Sequence, residues 1–326
     1  MKVLLTGANG FIGSFLAQKL VEKKYEVRCL VRSSSNLRWI ADLNTEIAYG
    51  NLSDKKSLKN AIKGVDYIFH LAGVTKAPDN RLYNKGNFEG TKNLIDTIIE
   101  NGFRLKRFIF SSSQAAYGPS ASFEPVNEEN QRNPLTDYGR SKLKAHEYVE
   151  SVKNKIPVTI VIPPAVYGPR DTDVLEFFKT VKIGIIPQLD GKDKYASIIH
   201  VSDLTDGIIM AAESSGTIGG SYFLANPKPV AWSEIARVIL DQLGKRAIRV
   251  NIPFPIVNGF ATVTEMYSKL TQKPNIISRQ KLLEMKQDFW ICSSQKAKKD
   301  FGFESKIDLE EGIKDTLAWY VTNNWL

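Results

Sequence analysis

The sequence predicts an α/β protein: a doubly wound parallel sheet with a smaller, mostly helical C-terminal substrate lobe. Three observations carry this expectation. Short apolar runs alternate with amphipathic stretches through the first half, a glycine-rich turn follows the first run directly, and the rhythm changes after Tyr167. With 326 residues the chain is long enough for a large buried core and about two average domains.

The predicted elements follow in order. Apolar runs at Lys2–Thr6, Tyr25–Val31, Thr45–Tyr49, Tyr67–Ala72, Arg107–Ser111 and Val158–Ile162 are rich in Val, Ile, Leu or Phe, and most are bounded by Gly, Asn, Asp or Pro. Such runs suit strands buried on both faces. Helical spacing marks Phe11–Lys23, Asp54–Ile62, Arg81–Glu100 and Leu135–Lys153 between them. Strand–helix alternation of this kind implies right-handed crossovers and helices on both faces of one parallel sheet. Beyond Tyr167, proline and glycine punctuate the chain to Gly191; runs at Ser197–Val201 and Ser221–Ala225 follow, with helices at Leu204–Glu213 and Ser233–Leu243. The expected division is residues 1–166, with a returning segment at about 197–226, as a dinucleotide-binding domain, and 167–326 as an interleaved substrate-binding lobe.

Composition excludes several classes. Apolar residues make up 43% and charged residues 24%, which is ordinary for a globular protein and rules out disorder, collagen and coiled coil as the dominant state. Two cysteines, Cys29 and Cys292, supply no disulfide framework and suit buried thiols in a reducing cytoplasm. The first apolar run meets glycine too early for a signal peptide, and no stretch approaches the roughly 18 apolar residues of a membrane span. A cytoplasmic location is expected. The net charge of +9 comes from lysines scattered among acids, such as Lys23, Lys24, Lys55, Lys56, Lys298 and Lys299, so a solvated surface is expected and no nucleic-acid partner. Three histidines and two cysteines lie far apart, so no metal-ligand spacing is present, and no G-x-S-x-G elbow suggests a serine hydrolase.

Thr6 to Gly13 read TGANGFIG, with Gly7, Gly10 and Gly13 between the first strand and the first helix. The first glycine permits the turn, the second lets backbone approach a pyrophosphate, and the third lets helix pack on strand. Free amides at the helix start then hold phosphate, so Asn9, Phe11 and Ile12 join the glycines as cofactor-binding candidates. A carboxylate usually follows the second strand in NAD sites, hydrogen-bonding the ribose hydroxyls. Here Arg32 stands at that place, with Arg38 one or two turns on. A guanidinium can bind a 2′-phosphate bidentately, so NADP is expected, with NAD as the alternative. Asn51 and Leu52, after the third strand, sit where a side chain meets the adenine edge.

Tyr138 and Lys142 form a Y-x-x-x-K pair, on one face of a helix. A lysine cation close to a phenol favours phenolate and brings the tyrosine toward the working pH range as an acid–base group. Ser111, Ser112 and Ser113 lie at a strand's carboxyl end, where doubly wound folds bind ligands. A serine there can hold the reacting oxygen beside the tyrosine, while strand-end capping is the expected part of Ser111. His70 receives no role. Phe177, Phe178, Ile185, Ile186, Tyr195 and the helices after Trp232 are candidates for a substrate pocket or for core. Phe254, Pro255 and Phe260 hint at an apolar wall.

TGANGFIG, FHLAG at Phe69–Gly73, NFEGTKNL at Asn87–Leu94, FSSSQAAYG at Phe110–Gly118, YGRSK at Tyr138–Lys142, PPAVYGPRD at Pro163–Asp171 and IHVSDL at Ile199–Leu204 occur in one order. Together with the closing segment KAKKDFGFESKIDLEEGIKDTLAWY, they resemble the extended short-chain dehydrogenase/reductase superfamily, of the NAD-dependent epimerase/dehydratase type and with a Rossmann fold. The resemblance implies a Ser113–Tyr138–Lys142 triad supported by Asn87. It also implies cofactor contacts from Leu71, Ala72, Gly73, Ser111, Tyr138 and Lys142, and from Pro164, Ala165 and Val166 against the nicotinamide. Pro163 departs from the arginine common in that loop. A homodimer through the two long helices is a further implication. Sugar-nucleotide dehydratases carry an Asp-Glu pair where this chain has Gln114-Ala115, so dehydration lacks its carboxyls. The VRSSSNL loop is similar to the dihydroflavonol reductase and 3β-hydroxysteroid dehydrogenase-like branch, which implies hydride transfer between NADP(H) and a secondary alcohol or ketone. A nucleotide-sugar epimerase with the same triad is the alternative, and a cofactor-sensing regulatory protein the non-enzymatic one.

Overall fold

A computed structural model describes residues 1–259 and 279–326. Seven parallel strands form the central sheet. They are β1 (Lys2–Thr6), β2 (Glu26–Val31), β3 (Thr45–Tyr49), β4 (Tyr67–His70), β5 (Arg107–Ser111), β6 (Val158–Ile162) and the strand Ser221–Phe223. Their spatial order is β3-β2-β1-β4-β5-β6, with Ser221–Phe223 outside β6. Chain order reverses at β1, so the crevice above the carboxyl ends of β1 and β4 is where such a sheet binds ligands.

Alternate side chains build a core on each face. Val3 and Leu5 of β1 pack with Leu16, Ala17 and Leu20 of α1 (Phe11–Glu22), and with Ile208 and Ile209 of the later helix Val201–Glu213. Leu4 points the other way, into a core with Leu58, Leu94, Ile95, Ile98, Ala145 and Val149. Those come from α2 (Lys55–Ile62), α4 (Gly90–Glu100) and α5 (Asp137–Ser151). The helix expected over 81–100 is not uniform. α3 (Asn80–Tyr83) runs into a π-helical turn, Asn84–Glu89, before α4 begins.

The second half has its own core of Phe178, Val181, Ile235, Ile239, Leu317 and Tyr320. Of the residues expected to line a pocket or to be core, several are core. Phe178 is buried with its ring edge-on to Tyr320, Ile186 is buried in the same cluster, and Phe177 sits edge-on to Trp232. Ile185 belongs to a strand, Ile185–Leu189, that pairs in parallel with Ile248–Ile252. The run at Ser197–Val201 does not enter the main sheet; Ile198–His200 pairs instead with Ala165–Tyr167. Phe254 is half-buried and Pro255 exposed, while Phe260 lies outside the described residues. Among the described residues no helix is long and apolar enough to cross a membrane.

Candidate active site

The glycine turn is shaped as its sequence requires. Gly7 has φ +79°, and a Cβ there would come within 2.7 Å of the Ala72 nitrogen in the turn after β4. A Cβ on Gly13 would run into the Gly7 carbonyl oxygen. Any side chain at either position would separate α1 from β1 or close the space between the two turns. Gly10 is the N-cap of α1, with no side chain occupying the helix start. This cradle fits a dinucleotide pyrophosphate. Asn9, Phe11 and Ile12 are half-buried around it, as are Leu71 and Ala72 across the crevice, with Gly73 exposed.

Beyond β2 the two arginines differ. The Arg32 side chain is exposed and forms no ion pair among the described residues, while its backbone N–H is held by Ser35 Oγ at 3.2 Å. Arg38 is committed elsewhere, with its guanidinium 4.2 Å from the Trp39 ring and 5.6 Å from Trp325. Asn51 turns its Oδ1 back onto the Ser53 N–H, and Leu52 packs against Gly90. Pro164, Ala165 and Val166 follow β6 at the crest, with Ala165 exposed.

On α5, Tyr138, Lys142, His146 and Glu150 recur every four residues and form one stripe against the end of β5. Each of the three serines there meets a member of that stripe. Lys142 Nζ donates to the Ser111 carbonyl at 2.6 Å. Ser112 Oγ lies 2.9 Å from His146 Nδ1. Ser113 acts on the Tyr138 phenol electrostatically, and its Oγ accepts from the Ala115 N–H at 3.2 Å. The capping serine is therefore Ser113, not Ser111, which uses its carbonyl instead. His146 Nε2 sits 3.2 Å from Glu150, and Glu150 receives both arms of Arg132 at 2.7 and 2.6 Å. Glu150 is thereby held below the usual carboxylate range, and burial pushes the His146 ring down. Serine, histidine and carboxylate in sequence resemble a hydrolase triad, but Ser112 and His146 are buried and no substrate reaches them.

Asn87 lies in the π-helical turn and is fully buried. Its Oδ1 accepts from the Val74 N–H at 2.6 Å; its Nδ2 donates to the Val74 carbonyl at 3.0 Å and to Ser141 Oγ at 2.8 Å. The amide therefore joins the loop after β4 to α5 one residue before Lys142. π-Turns of this kind concentrate at functional sites, because the extra residue re-aims one side chain.

The electrostatics differ from expectation. Burial pushes the Tyr138 phenol up to about 12; Glu284, Tyr83 and Asp173 act in the same direction, and only the Ser113 side chain pulls it down. Burial also pushes Lys142 down to about 7. Lys142 is not what lowers the tyrosine, because its ammonium points to the Ser111 carbonyl and stands 4.5 Å from the Phe110 ring centre. A phenol raised in this way is neutral at pH 7, the form that gives a proton.

Two residues of the site were missed or left idle in the sequence reading. His146 was missed, although its i+4 spacing from Lys142 was a usable signal. His70 was given no part, yet its ring bridges Thr6 and Thr91 at 2.7 and 2.9 Å. Tyr195, a pocket candidate, lies against the rings of Phe123 and Phe289.

Over 99% of its length, the chain is 28% identical to the ceramide reductase of Caulobacter vibrioides (strain NA1000 / CB15N), covering 96% of that protein. It is 24% identical to the 4-hydroxy-2-methyl-3-oxo-4-farnesyl-3,4-dihydroquinoline-1-oxide ketoreductase of Stigmatella aurantiaca, with 96% of this chain and 95% of the other aligned. The fold superimposes with TM-score 0.81 on the UDP-glucose 4-epimerase of Thermotoga maritima, at 22% identity, covering 99% of this chain and all of the other. The NAD-dependent epimerase/dehydratase family model matches residues 3–225, more than half the sequence, and the chain is an enzyme that belongs to that family.

Proposed function

We infer that this enzyme is an NADP(H)-dependent ketoreductase, or the reverse secondary-alcohol dehydrogenase, acting on an uncharged, largely apolar substrate. The observation that carries this is the convergence of Ser113, Tyr138 and Lys142 beside a glycine cradle, with Gln114 and Ala115 where elimination would need carboxylates. When bound, the nicotinamide supplies or accepts the hydride. The chain does the rest. Ser113 holds the substrate oxygen by hydrogen bond, Tyr138 gives its phenolic proton to that oxygen in reduction, and Lys142 orients the ribose and restores charge balance. Asn87 keeps α5 in register with the loop after β4.

The neutral substrate follows from the charges facing Tyr138. Glu284 and Asp173 act on the phenol, while Lys281 and Lys76 beside them are already ion-paired to those same carboxylates. A diphosphate beside the phenol would meet two carboxylates whose lysines are already engaged. Relatives named for a ceramide and for a farnesylated quinoline ketone point the same way, toward lipid-like carbonyl compounds. Arg32 favours NADP over NAD, because its guanidinium is free to fork onto a 2′-phosphate. In this reading residues 1–166 and 197–226 hold the cofactor, and the remainder shapes the substrate side.

The deciding experiment is steady-state NADPH oxidation against long-chain ketones, alongside UDP-glucose. Stoichiometric consumption of NADPH with a lipid ketone supports the reading. Interconversion of UDP-hexoses without net cofactor consumption overturns it in favour of an epimerase.

A further inference from the structure

Ile183 and Ile248 are 72% and 69% exposed, the two most exposed large apolar side chains among the described residues. They are neighbours. Ile183 closes the helix Leu175–Lys182, and the Ile248 N–H donates to the adjoining Gly184 carbonyl at 3.0 Å. Lys182 precedes Ile183 and Arg249 follows Ile248, so a cation adjoins each isoleucine. Lys245 Nζ donates to the Lys182 carbonyl at 3.1 Å, and Arg246 and Arg249 flank Ile248. Arg237, Lys245 and Arg249 line a cavity of about 400 Å³ next to this pair, with Glu234 and Asp241. Lys182, Arg237, Lys245, Arg246 and Arg249 have no carboxylate partner among the described residues. With Lys179 paired to Glu176, the remaining five cations of 179–184 and 232–249 face two acids, Glu234 and Asp241, an excess of three. The fold brings these cations beside the exposed isoleucine pair.

An exposed apolar pair is ordinarily a liability in water, and unpaired cations repel one another. Both features become favourable on one kind of surface. We propose that this face docks on an anionic lipid bilayer, with Ile183 and Ile248 entering the headgroup–acyl boundary and the surrounding lysines and arginines lying on lipid phosphates. Attraction of such cations extends about a Debye length from the membrane, and the isoleucines add area removed from water. A second copy of the chain is a poor occupant, because a two-fold contact would set the same cations against each other. A nucleic-acid backbone would satisfy the cations and leave both isoleucines in water.

The test is co-sedimentation with vesicles of phosphatidylcholine alone and of phosphatidylcholine mixed with phosphatidylglycerol. Binding is read without turnover, so it stands or falls separately from the ketoreductase reading. The wild-type chain is expected to pellet with the mixed vesicles only, and to be released by salt. The I183S/I248S double substitution should weaken binding by about tenfold or more, and R246E/R249E should abolish it; neither should alter NADPH binding. Equal binding to both vesicle types, or none, overturns the proposal. So does retention on duplex DNA that the isoleucine substitutions leave unchanged, or a concentration-dependent dimer that the same substitutions dissolve.

Discussion

The ring of His70 places its Nε2 2.9 Å from the Thr91 hydroxyl, and that contact fixes the direction of a five-membered hydrogen-bond chain. The Thr91 proton goes to the Asn87 carbonyl at 2.6 Å, so Thr91 Oγ1 accepts from His70 Nε2–H. Nδ1 is then bare and accepts from Thr6 Oγ1 at 2.7 Å, and Thr6 Oγ1 accepts from the Ala72 N–H at 3.2 Å. The glycine turn, the turn after β4 and the π-helical turn are joined through one neutral imidazole. Burial first, and the Lys142 charge second, push that ring down to about 3.

Replacing His70 with phenylalanine should leave the buried Thr6 hydroxyl proton without an acceptor, while Thr91 keeps the Asn87 carbonyl. Each buried polar group left without a partner costs about 1–3 kcal/mol, so urea unfolding should show a loss of that order. The wild type should also lose stability as pH falls from 6.5 toward 3, since the unfolded histidine takes up a proton there and the folded one does not. The variant should show a shallower loss across that window. A variant with wild-type stability and an unchanged acid limb would remove His70 from this account.

Lys142 should be a stability burden that function retains. Unfolded, it holds its proton to its ordinary 10.5; folded, it sheds it near 7. Between those values the unfolded state binds more protons, so stability rises with pH, and below 7 the full burial penalty applies. Lys142→Met should be inactive yet more stable at pH 7, by on the order of 1–4 kcal/mol. Thermal melts of both proteins at pH 7 and pH 9 check this, and a variant less stable than wild type at pH 7 would contradict it.

Tyr138→Phe removes the proton donor and keeps the packing of α5. Turnover should fall by about 10²–10⁴, with NADPH affinity within a few-fold of wild type. Full turnover on an identified ketone would refute the assignment.

The proposed NADP preference rests on Arg32. A charge-assisted contact of this type is worth on the order of 1.5–3 kcal/mol, so NADP(H) should bind roughly ten- to a hundredfold more tightly than NAD(H), and less so at high salt. Arg32→Asp should reverse the order. Arg38→Ala should leave it nearly unchanged, because that guanidinium stacks on Trp39 and Trp325. Paired titrations at fixed ionic strength decide the matter; equal affinities in wild type would make Arg32 a solvated loop residue.

Gln114 and Ala115 lead to a negative expectation. No 4-keto-6-deoxy sugar should form from a nucleoside-diphosphate hexose under any cofactor loading, and its detection by mass spectrometry would overturn the exclusion.

The sequence made legible what local periodicity and backbone geometry encode. The β1 run, the turn through Gly7 and Gly13, and the four-residue spacing of Tyr138 and Lys142 all rest on contacts close in the chain. The π-helical turn did not show, because Asn87 is held by Val74 and Ser141, which only the folded chain brings to it. The pairing of Ile185–Leu189 with Ile248–Ile252 is likewise non-local. Phe178 and Ile186 look alike as pocket or core until their neighbours are known. Lys142 misled in a different way: proximity to Tyr138 along the helix said nothing about where its ammonium would point.

The strand Ser221–Phe223 closes the free edge of β6, and the helix Val201–Glu213 covers α1, yet both follow the first strands of the lobe in sequence. A nascent chain leaving the ribosome therefore presents β1 to β6 with the β6 edge unpaired and with α1 lacking the helix that later covers it. Completion waits for some sixty further residues, a delay of about 3–12 s at ordinary synthesis rates. Residues 1–166 expressed alone should carry an unpaired β6 edge and an α1 face without its covering helix, the combination that drives aggregation.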